Sequence, residues 1–499
     1  VHRGGVEEEQ GPAVSGHDVN ASVTGRLRVV GAWWDARGMP SSEPTLSAPH
    51  GTARAATPGA AEDPLRVLPD GTVKQVNPLS GTRVWTVPGR GNRPLRAASL
   101  PLDPVDPARH DAHCAFCPRR HRETPPEKAR LVRDGTGWRR LARVPAGELD
   151  RTVAEFRRVP NLFEILSLDY WRLNHGYRVP PDLTAWMDTY LTDPDGYAHA
   201  AAVARAKALA SGLDDAAWAG LDEAERRSWM EGFFAGGHDV VIARRHYVDG
   251  AVRQDQLASS GTLTPQEHAA YVAFTVEAMA DLYARFPQAR YVAAFQNWLR
   301  PAGASFDHLH KQLVAIDEIG TWGRREVAHL ERSPDAFNRE VLDVAVAHGL
   351  LLAENEHAVA FAGFGHRYPT VEVFSTAAAG TPWEHGPDEL RAVSDLVHAC
   401  HAAVGSGVAC NEEWYHRPRG VAVAMPWHVS IKLRISTLAG FEGSTKINVN
   451  TVSPYQLRDR LLPRLHELRD AGAIAPARLG TECSARRGRL GYLGRSSSR

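Results

Sequence analysis

Cysteine is scarce in this sequence. The five are Cys114, Cys117, Cys400, Cys410 and Cys483, an odd number with a single close pair. That excludes a disulfide framework as the organising device and fits a reducing compartment. Excess charge of one sign is also missing: Lys+Arg and Asp+Glu both total 58. The global charge therefore argues for neither a nucleic-acid partner nor a membrane surface. No apolar run reaches the length of a membrane span. The opening residues Val1-His2-Arg3-Gly4-Gly5 lack the apolar core of a secretory leader. The expectation is a cytoplasmic protein without nucleic-acid or membrane partners.

What remains is ordinary globular composition, 43% hydrophobic and 23% charged over 499 residues. A chain of that length has two or three domains as its default. Residues 1–65 are rich in Gly, Ala, Ser, Thr and Pro without an apolar period and read as a disordered extension. Residues 481–499 are basic and Ser/Gly-rich and read as a flexible tail.

Between these ends, short strand-like runs alternate with amphipathic helices. Val73–Val76 and Arg83–Val87 flank a turn-rich segment, a hairpin candidate. Runs at 239–243 and 291–295 read as buried strands, with a helix between them that opens at Thr264-Pro265-Gln266-Glu267 as a capping box and ends near Arg285. A second set follows: strands at 358–362 and 370–374, a helix over 387–404, and strands at 420–424 and 427–433. The repeated order predicts an α+β fold of two related halves, 66–335 and 336–480, each an antiparallel sheet with helices. Residues about 170–236, with Trp186, Trp218 and Trp229, read as a helical insertion in the first half.

Two motifs carry chemistry. His308-Leu309-His310-Lys311-Gln312 alternates with period two, so two imidazoles and a carboxamide share one strand face. A neutral imidazole can attack phosphorus, and a carboxamide can hydrogen-bond phosphoryl oxygens. Cys114-Ala115-Phe116-Cys117 has the spacing of a zinc-binding thiolate pair. A redox pair or simple packing are the other readings. With no second such pair, His113, His121, His246 and His308 are the candidate partners. Arg90 and Arg93 sit in a Gly-rich loop that could clamp a diphosphate or simply face water.

Four segments, in order, resemble the galactose-1-phosphate uridylyltransferase family of the histidine-triad superfamily, in particular a bacterial branch of it. They are Asn77–Gly81 with Pro88-x-Arg90-x-x-Arg93-Pro94, Cys114-x-x-Cys117, Val159–Phe163, and Phe295 through Gln312. The resemblance implies that His310 accepts a nucleoside monophosphate and that Gln312 binds its phosphoryl group. Asn297, Gly303 and Ser305 would line the phosphate path. Arg90 and Arg93 would hold the diphosphate, and Asn161 and Phe163 the nucleoside. Zinc would be held by Cys114, Cys117, His246 and His308.

The implied reaction is ping-pong transfer of an NMP from a nucleoside diphosphate sugar to a sugar 1-phosphate. The alternatives are a phosphorylase of an ADP-sugar or dinucleoside polyphosphate that uses inorganic phosphate, and a non-catalytic zinc-stapled nucleotide-binding protein. The family is commonly dimeric, so a homodimer is a further expectation. In some relatives a second metal is held by one Glu and three His. Glu326, His416 and His428 occupy plausible positions, but Pro426 stands at the remaining one, which leaves that site incomplete. Leu162 also replaces the family's Asp after Asn161.

Overall fold

The computed structural model describes residues 63–89, 100–436, 439–485 and 488–494. Most of the expected N-terminal extension, together with Arg90 and Arg93, lies outside the described residues. In chain order come β1 (Leu65–Val67), β2 (Val73–Val76), β3 (Arg83–Thr86), β4 (Ala129–Asp134), β5 (Gly137–Ala142) and β6 (Ala154–Pro160). Five helices follow before the next strand: α1 (Leu168–His175), α2 (Pro181–Thr192), α3 (Pro194–Ala210), α4 (Asp215–Gly220) and α5 (Glu223–Ala235). These form the expected helical insertion. Then come β7 (His238–Ala243), α6 (Pro265–Arg285), β8 (Tyr291–Trp298), β9 (His310–Ile316), α7 (Thr321–Leu330) and α8 (Asp343–Ala347). The second half supplies β10 (Leu351–Glu354), β11 (Ala358–Gly363), β12 (Thr370–Ser375), α9 (Pro387–Val404), β13 (Cys410–Tyr415) and β14 (His428–Leu433). Last are α10 (Gly440–Thr445), β15 (Ile447–Asn450), α11 (Pro454–Asp470) and β16 (Arg478–Leu479).

The fold is α+β, and five strands of each half repeat one topology, the outermost strand differing. The strand order is β16-β10-β11-β12-β14-β13-β8-β9-β7-β6-β4-β5, six strands from each half. The halves do not keep separate sheets. β8 and β13 pair antiparallel, with Asn297 opposite Asn411 and Phe295 opposite Glu413, so twelve strands form one sheet. The helix between β7 and β8 is matched by the helix between β12 and β13, and these two, α6 and α9, pack together across the seam.

Local chemistry explains the helix starts. Thr264 accepts from the Glu267 N–H at 3.2 Å, and Glu267 accepts from the Thr264 N–H at 2.8 Å, a reciprocal cap with Pro265 in the first turn. Gly261 permits a close crossing: a Cβ there would stand 2.5 Å from the α9 backbone at His401 and Ala402.

Three elements depart from the expectations. Residues 420–424 are irregular rather than a strand. Gly420 takes φ +77°, and Pro418 and Pro426 bracket the run, so the alternating Val and Ala residues find no ladder. The β2–β3 hairpin, numbered with the first half, pairs with β15 of the second through parallel β3–β15 contacts. The C-terminal segment is docked through Gly494, not loose from 481 onward. Tyr492 is buried and donates to the Pro334 carbonyl at 2.8 Å, and Leu490 and Asn338 exchange two hydrogen bonds. Apolar Leu490 and Tyr492 provide the burial that a basic composition conceals. Among the described residues no helix is long and apolar enough to cross a membrane.

Candidate active site

The site lies on one face of the central sheet, where β6, β7, β9 and β8 run side by side. Cys114 and Cys117 sit in a turn before β4, His246 just beyond β7, and His308 just before β9. The structure brings all four together in a buried group. The sulfurs are 3.8 Å apart. Cys114 Sγ lies 3.4 Å from His246 Nδ1 and 3.5 Å from His308 Nδ1. For Cys117 the corresponding distances are 3.7 and 3.8 Å, and the two Nδ1 atoms are 3.2 Å apart.

These are the edges of a tetrahedron. Zinc at ordinary bond lengths of about 2.3 Å to sulfur and about 2.0 Å to nitrogen would set edges of roughly 3.8, 3.5 and 3.3 Å for the S–S, S–N and N–N pairs. The donor set therefore fits a metal ion such as zinc. His308 Nε2 donates to the Ala243 carbonyl at 2.6 Å, which leaves the Nδ1 lone pair facing the sulfurs. His113 and His121 stay outside the group, His113 bonding Tyr247 and His121 the Pro118 carbonyl. Arg157 ties the turn to β6 by donating to the Phe116 carbonyl at 2.9 Å.

Beyond this cluster, β9 carries the His310–Gln312 row. His310 is buried, and its Nδ1 donates to the His308 carbonyl at 2.7 Å. A carbonyl can only accept, so the proton sits on Nδ1 and the lone pair on Nε2. The Phe116 ring stands edge-on to His310 with centroids 5.1 Å apart, and Phe306 packs on Phe116 at 4.5 Å. Beneath Phe116 lies a small apolar patch of Val159, Val240 and Ile242.

Gln312 is half-buried and in contact with two neighbours. Asn161 Nδ2 lies 3.2 Å from Gln312 Oε1, and His238 Nε2 lies 3.1 Å from the same oxygen. Phe163, two residues beyond Asn161, is 58% exposed, free to meet a planar ring. His238 did not emerge from the sequence. On β7 the register sets Val240 opposite Gln312 and Ile242 opposite His310, so His238 shares their face. The available signal was its place on the same strand run that ends in His246. Burial pushes His238 down to about 4, so the ring is neutral at pH 7.

Asn297 is at the end of β8, and its Oδ1 accepts from Asn411 of the second half at 2.7 Å. Asn411 also donates to the Ala302 carbonyl at 2.8 Å and accepts from Arg434 at 2.8 Å. Asn411 and Arg434 are thus site neighbours that sequence reasoning passed over. Gly303 follows a tight turn at Arg300–Ala302 with φ +87°, where a side chain would be strained. Ser305 is exposed on the same loop.

The suggested second metal group does not assemble. Among the described residues, the only set with metal-ligand spacing is the Cys2His2 cluster. His416 stacks on Tyr291 at 4.4 Å and bonds the Tyr283 hydroxyl at 2.9 Å. His428 stacks on both Phe374 and Tyr415, at 4.3 and 5.0 Å. Each ring is enclosed by aromatic partners, and Glu326 on α7 joins neither in a ligand group.

A two-half sheet of this kind is shared, as a fold, with a solved plant enzyme. The chain belongs to the DUF4921 family, a domain of unknown function whose model matches residues 68–492. It is similar to an ADP-glucose phosphorylase from Arabidopsis thaliana solved with bound ADP-glucose, with TM-score 0.50 and 16% identity over 78% of this chain and 98% of that one. A GalT-like protein from the same plant gives TM-score 0.48 and 15% identity, again over 78% and 98%. A uridylyltransferase gives 0.38 and 16%, over 46% of this chain and 75% of that one. No curated protein matches the sequence.

Proposed function

We propose that the protein moves a nucleoside monophosphate from a nucleoside diphosphate sugar to a phosphate acceptor through a covalent nucleotidyl group on His310. One observation carries this reading. The His308 carbonyl holds the His310 Nδ1 proton, which leaves the Nε2 lone pair as the nucleophile beside Gln312.

In the first step that lone pair forms a P–N bond to the α-phosphorus. The P–O bond to the β-phosphate breaks, and its electron pair leaves with the sugar 1-phosphate. In the second step an acceptor phosphate oxygen attacks the α-phosphorus, and the P–N electrons return to the imidazole. Gln312 donates to the phosphoryl oxygens in both steps. A carboxamide moves no proton, and an acceptor phosphate needs none moved, because it is already anionic near pH 7. Water as acceptor would need a base, so the glutamine favours transfer over hydrolysis.

Zinc held by Cys114, Cys117, His246 and His308 would supply structural cross-linking. Asn297, Gly303 and Ser305 are assigned to the phosphate path, and Asn161 and Phe163 to the nucleoside. Arg90 and Arg93 are assigned to the diphosphate.

The acceptor separates two forms of the reading. A sugar 1-phosphate makes the protein a nucleotidyltransferase, and inorganic phosphate makes it a phosphorylase. The second form draws on the likeness to the ADP-glucose phosphorylase, which spans 98% of that chain and so takes in both halves here.

The test is intact mass after incubation with ADP-glucose, UDP-glucose and GDP-mannose, quenched at alkaline pH. One added NMP in the wild type, absent in His310→Gly, is the expected result. Full turnover in His310→Gly would sink the reading.

A further inference from the structure

Two backbone N–H groups fix the polarity of the contacts around Gln312. A peptide N–H can only donate. That of Ile165 meets His238 Nδ1 at 3.2 Å. Nδ1 therefore carries the lone pair, and the proton of the neutral ring is on Nε2. The Phe163 N–H meets Asn161 Oδ1 at 2.9 Å. The NH2 end of Asn161 is therefore the end turned toward Gln312.

Both donors converge on one atom. His238 Nε2 and Asn161 Nδ2 lie 3.1 and 3.2 Å from Gln312 Oε1 and 3.0 Å from each other. Both approach that single acceptor from the same side. The reverse orientation of Gln312 would set its NH2 against two donors and lose both hydrogen bonds.

We propose that His238 and Asn161 are positioning residues that turn the Gln312 carboxamide so that its NH2, not its oxygen, faces the bound phosphoryl group. This rests on the reading of His310 as nucleotidyl acceptor. An NH2 turned outward stabilises phosphoryl oxygens, and a carbonyl turned outward repels them. The polarity is written into the backbone at residues 161–165, the segment that also presents Phe163. Nucleoside recognition and phosphoryl orientation then share one loop.

Two substitutions separate this role from a structural one. A glutamine side chain reaches where Nε2 lies and can restore the donor to Gln312. An asparagine reaches only where Nδ1 lies and restores the partner of the Ile165 N–H. His238→Gln and His238→Asn would be compared for AMP, UMP and GMP affinity by calorimetry and for the single-turnover rate of adduct formation from ADP-glucose, UDP-glucose and GDP-mannose.

The expected result is a loss of about 10- to 100-fold for His238→Asn, with His238→Gln nearer the wild type. The difference disappears in a Gln312→Ala background. Asn161→Ala, which leaves His238 in place, should show a smaller loss that also vanishes in that background.

The opposite ranking, with His238→Asn intact and His238→Gln impaired, makes His238 a loop prop and overturns the proposal. Equal losses that persist without Gln312 do the same. If AMP, UMP or GMP affinity follows the expected ranking but the wild type forms no adduct, the positioning role stands and the nucleophile reading falls. A wild type that binds none of AMP, UMP and GMP overturns both.

Discussion

Lys311 lies between His310 and Gln312 in sequence, yet its ammonium reaches through the other face of the sheet to the Glu412 carboxylate of the second half. Both side chains are fully buried. Gln296 on the intervening strand accepts from Lys311 at 3.2 Å, and Glu412 also bonds His401 at 2.8 Å and Trp414 at 2.6 Å. Burial would raise the Glu412 carboxyl, but Lys311 and His401 hold it well below the usual carboxylate range.

Breaking this pair should be costly. Lys311→Met leaves the buried Glu412 carboxylate without its ammonium partner, held only by His401 and Trp414, and should destabilise the fold by about 3–5 kcal/mol. Lys311→Met combined with Glu412→Leu should recover much of that loss. Denaturant unfolding of the two variants checks the prediction. A single variant as stable as the wild type would show that His401 and Trp414 suffice to hold the carboxylate.

Glu164 gives the opposite pH signature. Its side chain is 5% exposed, one oxygen has no hydrogen-bond partner among the described residues, and burial pushes the carboxyl up to about 7 against the pull of Lys207 and Lys128. A folded value above the ordinary 4.5 means that the folded state holds the proton more tightly. The stability from this group is full below about pH 4.5 and is lost as pH rises through 7. Glu164→Gln should therefore match the wild type at pH 5 and exceed it by about 2–3 kcal/mol at pH 8. Unfolding midpoints at the two pH values measure this. A gap that does not change with pH would show that Glu164 is ionised in the folded protein.

Metal loss should act on both fold and chemistry, because His308 is a cluster member and its carbonyl orients His310. The wild type should carry one equivalent of zinc per chain, and Cys117→Ala should lower it to a small fraction of that, reduce the thermal midpoint and slow adduct formation together. Metal analysis with a thermal scan decides. Zinc retained at one equivalent in that variant would place the ion elsewhere.

Local pattern was enough for the parts of the site that lie within one strand or one turn. The His-x-His-x-Gln alternation and the Cys-x-x-Cys spacing are short-range facts, whereas His246 stood among four candidate histidines and was singled out only by the family resemblance. His238 and Asn411 were not legible in this way. Period two says which face a residue shares, not which strand lies next to it, and both residues reach the site from neighbouring strands. The same limit hid the pairing of β3 with β15, which joins residues more than 350 apart in sequence. At 420–424 the pattern misled because alternation requires a partner strand, and the flanking prolines deny it one. In the C-terminal tail, charge composition outweighed two apolar residues that decide where the segment goes.

The seam between β8 and β13 has a further consequence. Each half lends the other its edge, so neither can be excised without exposing a raw strand to any passing chain. The two halves can differ in side chains, but through this seam neither can part from the other.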